Sequence, residues 1–206
     1  MKAMSFVALS RPFRAFAVCY KLSRRYLTTC ITGIGNPEPK YSNTRHNAGL
    51  VLLDLLKNHL AGRERTYKPC SNAAAKYLPI SSGLILIRAD GNFINLSGKT
   101  VLPLWRKLPQ DKTVHIVAHD ELSLPLGKVQ LRKPGTSLRG HNGLKSIYDQ
   151  LGNGNFYRLA VGIGRPTERD PAIVSEYVLT KFTPAELDVL ASESLNKALE
   201  RLKGYI

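Results

Sequence analysis

The chain has 206 residues, 43% of them hydrophobic, with 30 Lys and Arg against 15 Asp and Glu, a formal charge of +15. That length supports one domain with a sizeable core, no apolar run is long enough to span a bilayer, and the charge points to a polyanionic partner. Three cysteines without a CxxC exclude a disulfide framework and a zinc-finger spacing, and fit a reducing environment.

The first 29 residues are set apart by charge. They hold Lys2, Arg11, Arg14, Lys21, Arg24 and Arg25 and no carboxylate; the first is Glu38. Basic, serine-bearing and acid-free, with phenylalanines and leucines able to line one helical face, this stretch resembles a mitochondrial transit peptide. Arg11, Arg14 and Lys21 interrupt any apolar core of the kind a secretory signal needs. A disordered basic tail is the other reading. Taking those six cations from +15 leaves +9 on residues 30–206, so the argument for a polyanionic partner survives. The expected location is the mitochondrial matrix, with a cytosolic copy left open.

Residues 30–35 read as a buried strand that ends where Asn36-Pro37-Glu38-Pro39 begins, because proline lacks the ladder donor. His46 sits at the junction between this polar loop and a helix over about 47–60. A basic connection follows, with Arg63, Arg65 and Lys68. Leu84-Ile85-Leu86-Ile87 suits a strand buried on both faces. After the turn-rich stretch 90–98, the spacing of Val101, Leu104, Trp105 and Leu108 predicts a helix, which Pro103 places from about Thr100.

Thr113 to Ala118 is the next strand, ending at His119-Asp120-Glu121. Lys128 to Arg132 alternates like an edge strand, and 133–142 is a glycine- and cation-rich loop. A helix from Gly143 to Leu151 stops at Gly152. Arg158 to Gly164 is the last core strand. Thr183-Pro184-Ala185-Glu186 is a capping box that opens a terminal helix, with Leu187, Leu190, Ala191, Leu195, Ala198, Leu199 and Leu202 on one face. The alternation of strands and helices predicts a single α/β domain, 30–206, with a mixed, mostly parallel sheet sandwiched between helices.

Polar residues collect where strands end: Asn36 and His46 in the first loop, Asn95 in the second, Asp120 in the third, with Asn142 opening a helix. In a parallel sheet such loops emerge on one edge. The set suits hydrolysis: a neutral imidazole takes a proton from water, a carboxylate fixes its tautomer, and amide donors hold a developing oxyanion. No GxSxG elbow and no cysteine beside a histidine supplies a protein nucleophile. His115, His119 and His141 with Asp120 lack HExxH-type spacing, so no metal is expected. Gly33-Ile34-Gly35 lacks the third glycine of a dinucleotide fingerprint, which argues against a nucleotide-dependent oxidoreductase, and no cofactor is expected.

Five stretches in register, GIGNPEPKYSNTRHNAG (33–49), FINLSGK (93–99), HDELSLPLGKVQLR (119–132), GHNGLKSI (140–147) and RLAVGIGRP (158–166), resemble the bacterial-type peptidyl-tRNA hydrolase family. With the leader, the chain looks like a mitochondrial member. The resemblance implies a monomeric, metal-free enzyme that cleaves the ester between a peptide and the 3′ ribose of tRNA. It implies His46 as general base, Asp120 as the supporting carboxylate and Asn36 as the residue distinguishing blocked from free aminoacyl-tRNA. Tyr41, Phe93, Asn95 and Asn142 would contact the 3′ end and peptide, and Arg132 and Lys133 the tRNA phosphates. The chain departs from the family at Ile94, where a methionine is usual, and at Ala160, where many bacterial members carry an arginine that Arg165 could replace. The loop before Gly140 also differs. The same fold without chemistry, an RNA-binding or splicing-associated relative, is the alternative.

Overall fold

A computed structural model describes residues 27–168 and 170–206; residues 1–26 of the expected leader lie outside the described residues. Thr28 and Thr29, the last two residues of the expected leader, belong to the first strand.

Seven strands form one sheet: β1 (Thr28–Ile34), β2 (Lys68–Pro69), β3 (Lys76–Pro79), β4 (Leu84–Ala89), β5 (Thr113–Glu121), β6 (Val129–Arg132) and β7 (Tyr157–Gly162), in the order β2-β3-β4-β1-β5-β7-β6. The central four, β4-β1-β5-β7, are parallel. The outer pairings are antiparallel. β1 and β4 are buried along their whole length, because helices cover both faces and a strand covered twice carries no polar alternation. At the edge, β6 has buried Val129 beside exposed Gln130.

One face is covered by α1 (Ala48–Ala61) and the C-terminal run, α5 (Pro184–Val189), a π turn (Leu190–Ser194) and α6 (Leu195–Leu202). Leu52, Leu53 and Leu56 of α1 pack there with Ile31, Ile116, Leu159, Leu190 and Leu202. The other face is covered by α2 (Ser97–Trp105) and α3 (Asn142–Leu151), where Trp105, Leu144 and Ile147 meet Cys30, Ile85 and Val117. The capping box at Thr183 is formed. The π turn inserts an extra residue into the run, and Ala191, expected on the apolar face, is exposed.

Four features differ from expectation. A 3₁₀ turn over Ile94–Leu96 leads straight into α2, which starts at Ser97 and keeps Pro103 inside. Proline lacks the N–H that would bond the carbonyl of Lys99 one turn back. The β2–β3 hairpin and α4 (Pro171–Leu179) have no counterpart in the sequence reading. β5 continues through Glu121, so Asp120 stands in the sheet, opposite Val161 of β7, and not in a loop.

Candidate active site

The C-terminal ends of the parallel strands share one edge, and the residues there are held by backbone packing before any side chain is considered. Gly49, in the first turn of α1, lies so close to β5 that a Cβ would collide with the carbonyl oxygen of Ala118. Only glycine allows that approach. It seats the start of α1, and the 3₁₀ turn Arg45–Asn47 before it, over the end of β5.

The result is a histidine–carboxylate contact. His46 Nδ1 lies 2.9 Å from Asp120 Oδ1. The same oxygen receives His141 Nε2, also at 2.9 Å. Asp120 is 4% exposed, His46 17% and His141 9% by side chain. The tautomer of His141 follows from its other nitrogen: Nδ1 accepts from the backbone N–H of Gly143 (3.1 Å) and Leu144 (3.2 Å), capping α3. Nε2 therefore carries the hydrogen and donates to Asp120. His46 likewise donates from Nδ1, which leaves its Nε2 as the lone-pair nitrogen at a cleft of about 550 Å³.

Charge and burial compete at this pair. Burial favours neutral His46, but the Asp120 carboxylate and its hydrogen bond outweigh it, and the imidazole is raised above its ordinary 6.5. Burial likewise opposes an ionised Asp120, and the two imidazoles reverse this, holding it well below the usual carboxylate range. Deeper in the wall, burial pushes His119 down to about 3, so it stays neutral.

His46, Asp120 and His141 offer three ligand atoms within 4.8 Å of one another, a spacing that could suit a cation. His141 does not fit one: its Nδ1 is occupied by the helix cap, so its Nε2 carries a hydrogen where a metal would need a lone pair.

Two of the three amides, Asn142 and Asn95, line neighbouring cavities. Asn142 lines the cleft with His46 and Asp120, and also a groove of about 430 Å³ that it shares with Asn95. Neither caps its helix: α3 is capped by His141, and α2 follows Leu96 without a side-chain cap. Asn36 is buried with a defined amide orientation. Its Oδ1 accepts from Ile94 N–H at 2.9 Å, and its backbone exchanges bonds with the amide of fully buried Asn47. Tyr41 meets Phe93 edge-on at 6.0 Å, and Phe93 is 52% exposed.

The cations separate too. The Arg132 guanidinium is tied to Glu121, next to Asp120, while Lys133 is exposed on the following loop. Ala160 is buried between His119 and Gln130, and exposed Arg165 lines the cleft.

Three parts of the site lie outside the sequence reading. His141 enters it only as a candidate metal ligand, since histidine is not a usual N-cap. Arg45 ties the 3₁₀ turn to the C-terminal segment: it pairs with Glu186 (2.9 Å), donates from Nε to Thr180 Oγ1 (3.1 Å), and stacks on Tyr177 and Phe182. α4 supplies Val174, Ser175 and Val178 to the cleft wall.

Comparison with known proteins follows the same outline. The family model described as peptidyl-tRNA hydrolase matches residues 30–206. A peptidyl-tRNA hydrolase of Saccharomyces cerevisiae is 46% identical over 181 residues, 85% of this chain and 95% of that protein. One of Geotalea daltonii is 45% identical over 159 residues, 76% of this chain and 79% of that protein. The crystal structure of peptidyl-tRNA hydrolase from Acinetobacter baumannii superposes with a TM-score of 0.69 at 30% identity, covering 86% of this chain and 89% of that one.

Proposed function

The chain belongs to the peptidyl-tRNA hydrolase family, and we propose that it cleaves the ester between a peptide, or an N-blocked amino acid, and the 3′ ribose of tRNA with His46 as general base. The observation that carries the assignment is the 2.9 Å bond from His46 Nδ1 to Asp120, which leaves Nε2 at the cleft as the proton acceptor.

In this reading Nε2 takes a proton from water as the water oxygen attacks the ester carbonyl carbon. Asp120 stabilises the imidazolium that forms. The imidazolium then returns the proton to the departing 3′ oxygen, releasing peptide carboxylate and tRNA. A base so placed contributes roughly 10²–10⁴-fold, and an ester is already activated. The side-chain amide of Asn142, which lines the same cleft as His46, would donate to the carbonyl oxygen as it gains charge.

Asn36 accounts for substrate choice. Its Oδ1 is engaged by Ile94 N–H, so only Nδ2–H donors remain for a ligand. A blocked amino acid offers a carbonyl oxygen to such a donor. The free ester offers an ammonium group, which a donor repels and which is costly to desolvate unpaired. Tyr41, Phe93 and Asn95 would complete the contacts to peptide and 3′ end. Lys133 would meet tRNA phosphates, which fix position without reading sequence. The basic, acid-free first 29 residues support delivery to the mitochondrial matrix, which import of the full chain into isolated mitochondria would test. We expect a monomer.

The deciding assay compares N-acetylaminoacyl-tRNA with the unblocked ester. Release of the amino acid from the blocked substrate alone is expected. Binding without cleavage would favour the RNA-binding alternative, and equal cleavage of both would remove the role of Asn36.

A further inference from the structure

A second charged cluster lies behind Asn36 and takes no part in the proton transfer. Its centre is Arg88, near the end of β4 and only 7% exposed. The guanidinium serves three carboxylates from three parts of the chain. Nε donates to both oxygens of Asp54 on α1, at 3.2 Å each. Nη1 donates to Asp90, which also pairs with Lys76 at 2.7 Å. Nη2 donates to Glu38 at 2.7 Å.

Two of these partners sit on the substrate-facing loops. Glu38 is two residues after Asn36 and three before Tyr41; Asp90 opens the turn that leads to Phe93 and Asn95. The same loops meet again at Asn36 Oδ1 with Ile94 N–H and at Tyr41 with Phe93. We infer that Arg88 is a positioning residue, whose fork fixes the loop carrying Asn36 and Tyr41 against the loop carrying Phe93 and Asn95, with Glu38 as its contact on the first loop. A planar guanidinium can hold three carboxylates in fixed directions, where an ammonium group would act as a point charge.

The cluster is built for geometry more than for net attraction. Three carboxylates surround one arginine and one lysine, and Asp54 is raised by its own burial, which the arginine only partly offsets. Buried ion pairs add little stability by themselves, whereas a displaced loop alters binding of everything it touches.

This inference rests on the proposed reading of Asn36 and Tyr41 as substrate contacts. Removing Arg88 would leave buried Asp90 with Lys76 alone and risk unfolding, so the test uses the partners. Glu38→Ala frees the substrate loop, and Asp54→Asn takes a charge from the same guanidinium without touching that loop. With N-acetylaminoacyl-tRNA, Glu38→Ala is expected to raise KM roughly tenfold with kcat within about twofold and an unchanged melting temperature, and Glu38→Gln to recover most of the loss. Asp54→Asn is expected to leave KM unaltered. Equal rises in KM for both variants, or an unchanged KM in Glu38→Ala, would overturn the positioning role. If the wild-type protein fails to cleave the substrate, the function reading falls instead, and the same comparison made on binding affinity still decides the role of Glu38.

Discussion

His141 Nε2 donates to Asp120 Oδ1 at 2.9 Å while its Nδ1 caps α3, so one ring joins a helix end to the carboxylate that also holds His46. The two duties separate by substitution. His141→Ala is expected to lower stability by about 1–2 kcal/mol through the lost cap and to reduce kcat. His141→Asn, a good capping residue that cannot span to Asp120, should restore the denaturant midpoint but not kcat. Recovery of both would mean that His141 acts only through the helix.

The raised pKa of His46 sets the sign of the pH dependence. General-base action needs the neutral ring, so activity should fall as pH drops through a value above 6.5. Asp120→Asn removes the charge that raises this pKa and leaves burial, which lowers it. Its acid limb should move to lower pH while kcat drops by about 10²-fold or more. For stability the order is reversed. A raised histidine contributes fully below its unfolded value and loses that contribution as pH rises through the folded one. The depressed Asp120 contributes above about 3.8, the ordinary value, and loses its contribution on acidification. A pH–rate profile of both proteins checks the first point, and urea midpoints across pH the second.

Arg45 connects the turn that carries His46 to the C-terminal segment through Glu186, Thr180, Tyr177 and Phe182. Its neighbour Thr44 bridges Lys181, and Arg45 N–H bonds Thr180 O at 2.9 Å. Arg45→Ala should let the 3₁₀ turn shift and lower kcat roughly tenfold or more. Full activity in that variant would show that the backbone bridge alone holds His46.

Arg132 and Lys133, neighbours in sequence, should behave differently. Arg132 is held by Glu121; burial opposes that carboxylate's charge, and the Ser123 donors, with Arg132 behind them, keep it below the usual carboxylate range. Arg132→Ala is expected to destabilise by about 3 kcal/mol, because a largely buried carboxylate loses its partner. Lys133→Ala should reduce the salt dependence of tRNA binding by about one unit of slope with little effect on stability. Denaturation and binding titrations at several salt concentrations separate the two.

The sequence carries the centre of this fold more clearly than its edges. Parallel β1, β4, β5 and β7 read as apolar runs because both their faces are covered, and the capping box at Thr183 is formed as its residues imply. The β2–β3 hairpin is short, interrupted by Pro69 and Pro79 and without alternation, so it has little local signal. α4 carries a cap signature, Asp170 before Pro171, and Ile173, Val174, Tyr177 and Val178 at helical spacing on its half-buried face, so this helix is legible in the sequence although it is not among the expected elements. His46 and Asp120 are legible as a pair because both lie at the edge where the parallel strands end, although Asp120 is the last but one residue of β5 and not in a loop. His141 is not, because its contact with Asp120 depends on how α3 docks.

The central claim is tested most directly by single-turnover hydrolysis of N-acetylaminoacyl-tRNA by His46→Ala, with tRNA affinity measured on the same protein. The expected result is cleavage slowed by about 10²–10⁴-fold with affinity unchanged. Cleavage at the wild-type rate would contradict His46 as the base.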